Sequence, residues 1–583
     1  MATKNPEFDA VLAIDVGSVH TRAYLFEIAG DSYRFIAQGV ARTTAEYPVH
    51  DIGEGIVFAI QQLEEITGHQ VLGPDGRFII PSLPGGQGVD ALTATLSAGP
   101  TIKVVCAGLL GDVSVISAEH LAKTGYTRVL DRVSINDARS MDEQIDAILR
   151  IMPDAIILAG GTEDGARRAM RRVLTTLGLS CSLLPPEKRP EVLFTGNQFI
   201  RGDIKGVLEA SVPLTIAPNI RPQPEIEVLD PAQAAFVEIM ERLRFRQVMG
   251  AADLNNLVGG RLMPTASSFG RMIRFLGKIY QSPRGVLGID MGASQTTIAL
   301  AKGGRLNLRV CQPGNDKLNP LEAMYQIPIQ DLLGWIGYNL SEEYIRDYLV
   351  NKVIYPATIP TTQEDLAIEY SFARYRLRNA VSQFAASYPG LNFGYRNGLA
   401  PGFEPILISG TTLTSTPTLA SSLLMILDGL QPTGLTTIVL DQNHLLPVLG
   451  SAGSLTPALP VEVLETGMLF NLCALIAPIS QKRPGTTIMT IHVITEDQQE
   501  IDMEVQQGTL TVIPLAQGES AQLFIDIHEK DQSGLSGSKS GGYKVTAGAL
   551  GIVIDARGRP LNMPTEIVAR QEILRQWMTI LGN

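Results

Sequence analysis

Apolar residues recur along this chain in short runs broken by polar turns, and one such arrangement occurs twice. Residues 11–28 read VLAIDVGSVHTRAYLFEI and residues 286–300 read VLGIDMGASQTTIAL. Each is an apolar run that ends in Asp-x-Gly, passes through small and hydroxyl residues, and resumes as a second apolar run. That pattern predicts strand, tight turn and strand, with an acid closing the first strand. A helical period follows at residues 53–66 (GEGIVFAIQQLEEI), then a turn-rich loop at 81–88 (PSLPGGQG). From 101 to 218 the apolar runs IKVVCAGLL, RVLDRVSI, DAIILAGG, EVLFTGN and PLTIAPN alternate with helical stretches such as MDEQIDAILRIM and EDGARRAMRRVLTTLG. Strand-then-helix alternation predicts a parallel, doubly wound sheet.

Residues 222–231 (PQPEIEVLDP) read as a linker, and 232–279 as mostly helical with a break at 262–265. After the second hairpin the helical pattern resumes over 321–387, interrupted at 356–360 (PATIP). A short buried-type strand at 404–409 (EPILIS) opens into Gly410, Thr411 and Thr412, followed by a helix at 418–430 and a strand at 437–441. Beyond residue 460 the runs TIMTIHVI, QEIDMEVQQGTLTVIPL, AQLFIDIHEK and YKVTAGALGIVIDA predict a separate β-domain closed by a helix at 565–581. Within it, residues 531–542 (DQSGLSGSKSGG) read as a flexible turn, a reading preferred over a phosphate site.

At 583 residues the chain exceeds one core and implies three or four domains of roughly 150 residues each. A net charge of −12 gives no electrostatic reason to bind nucleic acid or an anionic membrane surface. The basic cluster at 166–172 (ARRAMRR) reads as the solvated face of a helix. Cys106, Cys181, Cys311 and Cys473 lie far apart, mostly in apolar runs, so buried free thiols are expected and neither zinc nor a disulfide framework. The N-terminus lacks a signal-peptide core, and the longest apolar stretches, such as 469–479, fall short of the ~20 residues a spanning helix needs. A soluble, cytoplasmic protein is expected.

The hairpins carry the chemistry. Glycine lets backbone approach a ligand, and exposed turn N–H groups cradle phosphate oxygens. An Asp repels phosphate but holds Mg²⁺ through water. Two such hairpins, one per lobe, would clamp a nucleoside triphosphate between them. Other candidates read more plainly. Ala159-Gly160-Gly161-Thr162 precedes the second hairpin and is taken as a strand-to-helix turn, with Glu163 and Asp164 at the helix start. Gln87 reads as part of a surface loop rather than a water-positioning group, and His20 and His444 as turn residues.

The order of the hairpins and the later small-residue turn resembles the actin, Hsp70 and sugar kinase superfamily. Finer motifs, AIILAGGTEDG, VLFTGN, LMPTASSFGRMIRFL, YLVNKVIYPATIPTTQEDLAIEYSFAR, LMILDGLQPTGLTTIVLDQNHLLPVLG and GALGIVIDARGRPL, resemble the MutL family of glutamate mutase accessory proteins, which is unrelated to mismatch-repair MutL. The resemblance implies an α/β protein with an actin-like two-lobed (ribonuclease H-like) ATPase fold, an inserted Rossmann-like α/β domain and a C-terminal β-domain. The corresponding divisions are 1–98, 99–222, 223–460 and 461–583.

The resemblance also implies ATP and Mg²⁺ as ligands and a cobalamin-dependent mutase as partner; a homo-oligomer is a further open expectation, and the acidic charge leads to the expectation of neither nucleic acid nor membrane as partner. Carried over by position, the first phosphate hairpin is Asp15, Gly17, Ser18, Thr21 and Arg22, with Asp15 on hydrated Mg²⁺. The second is Asp290, Gly292, Ala293, Ser294 and Thr296, with Asp290 orienting metal or attacking water. Gly410, Thr411 and Thr412 form the adenosine turn. The chain departs from the family pattern at Ala293, where a glycine is usual, at Thr297, where an acid is usual, and at Thr411, where a second glycine is usual. Thr411 is expected to cost backbone strain or close approach. Two readings therefore stay open: an ATP-binding chaperone or reactivase with weak ATPase activity, and a degenerate, non-hydrolysing actin-like scaffold or filament former. A small-molecule kinase of the same fold lacks an identifiable base.

Overall fold

The computed structural model describes residues 8–163, 167–315, 317–391, 402–480, 482–528, 535 and 542–582. Asp164, the start of the basic cluster at 166, and nearly all of the 531–542 turn lie outside the described residues. Both Asp-x-Gly segments form the expected hairpins. Strand Ala10–Val16 pairs antiparallel with His20–Ala29, and Val286–Met291 pairs antiparallel with Thr296–Lys302. The first hairpin belongs to a five-stranded sheet completed by Ser32–Arg42, Ala91–Leu96 and the two-residue strand Met263–Pro264. The second belongs to an eight-stranded sheet running Arg305–Cys311, Thr296–Lys302, Val286–Met291, Ile406–Ser409, Gly434–Leu440, Phe470–Ala477, Ile552–Asp555 and Leu510–Ile513.

Between Ala91–Leu96 and Met263–Pro264 the chain builds a third, all-parallel sheet in the order Thr127–Ser134, Ile102–Gly108, Ala155–Ala159, Glu191–Phe194 and Leu214–Ile216. Its central strands are buried on both faces, which is why they read as unbroken apolar runs. The helical break at 262–265 is where the chain returns to the first sheet. Met263 and Pro264 lie beside Thr95 and Leu96 before helix Thr265–Tyr280 begins.

The tail differs from the expectation of a self-contained β-domain. Phe470–Ala477, Leu510–Ile513 and Ile552–Asp555 extend the eight-stranded sheet, while Thr487–Thr495, Glu500–Gln506, Ser520–Ile527 and Tyr543–Thr546 form a separate four-stranded one. The patterns account for the split. Ile552–Asp555 is buried throughout, as a strand inside a covered sheet must be, whereas most of Thr487–Thr495 alternates between buried and half-buried. A buried ionic cluster ties the tail to the sheet. Arg557 bridges Asp428 and Asp555 at 2.9 Å each, Arg374 donates to Asp428 at 2.8 Å, and Arg559 donates to Asp555 at 2.6 Å. Each buried charge thus has an opposite charge beside it, without which burial would cost several kcal/mol per ion. The four cysteines are buried free thiols. Among the described residues no helix is long and apolar enough to cross a membrane.

Two helices, Thr265–Tyr280 and Leu445–Ala452, pack in a core shared by both hairpin sheets, with Val11, Ala13, Tyr24 and Phe26 on one side and Val286, Ala299 and Leu407 on the other. They cross closely because Gly450 has no side chain. A Cβ there would sit 2.1 Å from the carbonyl oxygen of Ser268. Gly450→Ala should therefore force the helices apart and destabilise the protein by about 1–3 kcal/mol, read as a lower unfolding midpoint in a denaturant titration. Gly202→Ala, whose Cβ would meet nothing within 4 Å in helix Arg201–Leu208, should leave the midpoint unchanged or raise it.

Candidate functional site

The strand ends of the two hairpin sheets face one another across a cleft with a cavity of about 300 Å³. Asp15, Gly17, Ser18 and Arg22 line it from the first hairpin, and Asp290, Gly292, Ala293 and Ser294 from the second. Gly410, Thr411 and Thr412 line it from the turn after Ile406–Ser409. Eleven of the thirteen sequence-derived site residues thus share one cavity. Thr21 and Thr296 do not line it. Side chains alternate along a strand, and both of these are buried: Thr21 bonds Thr43 at 2.9 Å, and Thr296 lies behind its turn.

Sheet register sets the positions of the acids. Asp15 lies opposite Thr95 in parallel pairing, and its Oδ1 accepts from Thr95 at 2.6 Å and from Thr265, at the start of its helix, at 3.1 Å. Asp290 lies opposite Ser409. A third acid, Asp441, follows Gly434–Leu440 rather than ending the strand as the sequence suggested. Its carboxylate caps helix Leu445–Ala452, accepting from the N–H groups of Leu445 and Leu446 at 2.8 and 2.9 Å and from Ser409 Oγ at 2.9 Å. Burial raises the pKa of Asp15 and of Asp441, opposed by these hydrogen bonds. For Asp290, burial and then the neighbouring charges of Asp15 and Asp441 raise it to about 7. A carboxyl poised there shares its proton near neutrality.

Glycine is needed at two of the predicted positions. Gly17 donates to His20 O at 2.9 Å, and a Cβ on it would lie 2.8 Å from that oxygen. Gly410 has φ of 92°, and its Cβ would meet Met291 O at 2.3 Å, so the turn presses directly on the second hairpin. Gly292 differs, since its nearest neighbour to a Cβ would be 3.7 Å away. The expected strain at Thr411 is absent. Thr411 is not among the residues with positive φ; it opens the short helix Thr411–Thr414. Its hydroxyl accepts from Arg22 Nη2 at 2.9 Å, a bond that spans the cleft from the first hairpin.

Sequence reading missed the groups supplied by helix Gln363–Ser387 and its approach. Arg376 lies behind the second hairpin and donates from Nη2 to Gly292 O at 2.7 Å and Gln295 O at 3.2 Å. Lys352 and Glu369 form a 2.6 Å ion pair in the wall, beside the loop that carries Pro356, Ile359 and Pro360. The interruption PATIP marked this loop in sequence, though nothing there pointed to the cleft. His444 also lines the cavity but is held neutral. Burial and then Arg22 and His20 lower its pKa to about 3, and its φ of 55° fits the turn reading. Gln87 lies elsewhere and bonds Gln70 at 2.8 Å. Gly160 and Gly161 follow a strand of the parallel sheet, outside the cleft, and Glu163 accepts from Asn219 at 3.0 Å. Among the described residues no three His, Cys, Asp or Glu side chains come together closely enough to enclose a metal ion directly.

The raised pKa of Asp290 gives a signed prediction. In the unfolded chain its carboxyl ionises near 3.8, in the fold near 7, so its cost to stability is absent below about pH 4, grows between, and is complete above about 7. Asp290→Asn should thus stabilise the ligand-free protein at pH 8, by roughly 1–3 kcal/mol after allowance for its partial exposure, and leave it unchanged at pH 4. Denaturant midpoints across that range check this. A gain that is equal at both pH values contradicts it.

No curated protein sequence matches the chain. Among solved structures it is similar to nucleotide-free acetone carboxylase, with 11% identity over 86% of this chain and 81% of that one and a TM-score of 0.30. Similarity to component A of the (R)-2-hydroxyglutaryl-CoA dehydratase of Acidaminococcus fermentans is 10% in identity, over 79% and 99% of the two chains, with a TM-score of 0.22. A glycerol dehydratase reactivase matches with 11% identity, 69% and 92% coverage and a TM-score of 0.25. The description MutL protein matches residues 11–468, which span both hairpins and the Gly410 turn, and the chain belongs to this MutL family of glutamate mutase accessory proteins.

Proposed function

We propose that this chain binds ATP with Mg²⁺ in the cleft and serves as an accessory chaperone or reactivase of an adenosylcobalamin-dependent mutase such as glutamate mutase. The observation that carries the nucleotide reading is the convergence of both Asp-x-Gly hairpins and the Gly410 turn on one cavity. Membership of the MutL family supports the accessory role. In this reading the two hairpin sheets are the lobes of an actin-like fold. The parallel sheet is an inserted Rossmann-like domain, and the four-stranded sheet is the core of the C-terminal β-domain.

The residues present fit a hydrated cation better than a directly ligated one. Asp15 and Asp290 both line the cavity, both are pushed toward the neutral form, and among the described residues no third acid completes an inner shell. Asp15, Asp290 and Asp441 face Arg22 and Arg376, and in their ionised form the carboxylates would repel a polyphosphate entering alone. Mg²⁺ bound through water would supply the missing positive charge and draw the carboxylates into their ionised state. Gly17, Ser18 and Arg22 would face the γ-phosphate, and Ala293 and Ser294 the β-phosphate. Thr411 and Thr412 would approach the adenosine. Asp290, with its proton shared near pH 7, would orient a water.

Domain closure over the nucleotide would reshape the surface offered to the mutase, a hinge-type coupling. The bond from Arg22 to Thr411 is the existing link across that opening. Isothermal titration with ATP and ADP, with and without Mg²⁺, tests the proposal. Binding should require the metal, and Asp15→Ala should weaken it at least ~10-fold and lower any ATP turnover by at least as much. Unchanged affinity and turnover in Asp15→Ala would sink the assignment. No binding at millimolar nucleotide would favour the scaffold reading, to which Ala293 and the buried Thr297 point.

A further inference from the structure

Arg376 is the most unusual group bordering the cleft. It is only 5% exposed, and the acids that act on it, Glu369 and Asp290, do so through space without a direct ion pair among the described residues. Nη2 is used on the hairpin, reaching Gly292 O, Gln295 O and, at 3.5 Å, Thr296 Oγ1. Nε has no partner. Phe372 stacks beneath, with the guanidinium carbon 5.8 Å from its ring centre. Burial lowers the pKa to about 10, which leaves the group charged at neutral pH. A buried cation with no direct ion pair is only partly compensated, and an anion brought close to it would complete the match.

The hairpin shows the complementary feature. Arg376 holds the carbonyls of Gly292 and Gln295, which flank Ala293 and Ser294, against its helix. Among the described residues the N–H groups of Ala293 and Ser294 have no acceptor, although both residues line the cavity. Two free donors backed by a buried positive charge make an anion-binding turn.

We propose that Arg376 is the residue that shapes and charges the second hairpin as a phosphoryl-binding turn. The inference rests on the nucleotide reading of the cleft but concerns a separate group. Arg376 is a positioning residue: it fixes the turn through two carbonyls, and its charge acts on the phosphoryl group across that turn. A lysine keeps the charge and loses the planar fork. Glutamine loses both charge and fork.

The test is titration calorimetry of the full chain and its Arg376→Gln and Arg376→Lys variants with Mg·ADP, pyrophosphate and adenosine as probes. Each variant is first checked for a wild-type circular dichroism spectrum and unfolding midpoint. The inference predicts that Arg376→Gln weakens Mg·ADP and pyrophosphate at least tenfold while adenosine binds as in wild type. Arg376→Lys should fall between the two. Equal loss for ADP and adenosine, or ADP affinity within twofold of wild type in Arg376→Gln, overturns it. Should wild type bind pyrophosphate but not ADP, with pyrophosphate lost in Arg376→Gln, the turn assignment stands and the nucleotide reading falls. Should wild type bind neither, both fall. If Arg376→Gln does not fold, the Arg376→Lys variant decides: unchanged pyrophosphate affinity overturns the inference.

Discussion

Three carboxylates brought to strand ends of the two hairpin sheets set the electrostatics of the cleft. Asp15 is placed by pairing with Thr95, Asp290 by pairing with Ser409, and Asp441 by the helix it caps. They are partly withdrawn from water, and burial followed by the charges of Asp15 and Asp441 raises the pKa of Asp290 to about 7. Around them the fold places only enough positive charge for partial compensation. Arg22 spans the opening to Thr411, and Arg376 lies behind the second turn. Like charges held together in a concave site make a cation the natural complement, and through the cation a polyphosphate.

The geometry behind that site comes from very close backbone contacts. Gly450 lets helix Leu445–Ala452 meet Thr265–Tyr280, and Gly410 lets its turn press on Met291. The first contact joins the hairpin sheets through a shared core, and the second forms one wall of the cavity. The buried cluster of Arg374, Asp428, Arg557, Asp555 and Arg559 then couples the late strand Ile552–Asp555 to helix Gln363–Ser387. That same helix carries Arg376, so tail, wall and turn share one rigid element.

Much of this was legible in the sequence where the signal is local. The hairpins announced themselves by apolar runs ending in Asp-x-Gly, and helix Ile52–Thr67 by its period. What escaped depended on contacts between distant segments. Asp441 read as the last residue of a strand, because nothing local reveals that its carboxylate turns to cap the helix that follows. Arg376 sits mid-helix among charged neighbours, and its burial against Gly292, 84 residues earlier, is a tertiary fact. Thr21 and Thr296 were placed in the site by motif position although strand alternation turns them away. The tail was expected to stand alone because β-runs after a helical region look like a new domain. The uniformly apolar Ile552–Asp555 was the clue that it joins a covered sheet.

The central claim is that the acid cluster is a cation-linked nucleotide site, and proton release tests it most directly. Calorimetric titration of the wild-type chain with ADP at pH 7, with and without Mg²⁺, in two buffers of different ionisation enthalpy, counts protons exchanged on binding. A cation settling against Asp290, whose carboxyl is about half protonated there, should release a fraction of a proton only when Mg²⁺ is present. ADP affinity and proton count that are the same with Mg²⁺ and with chelator would contradict the account.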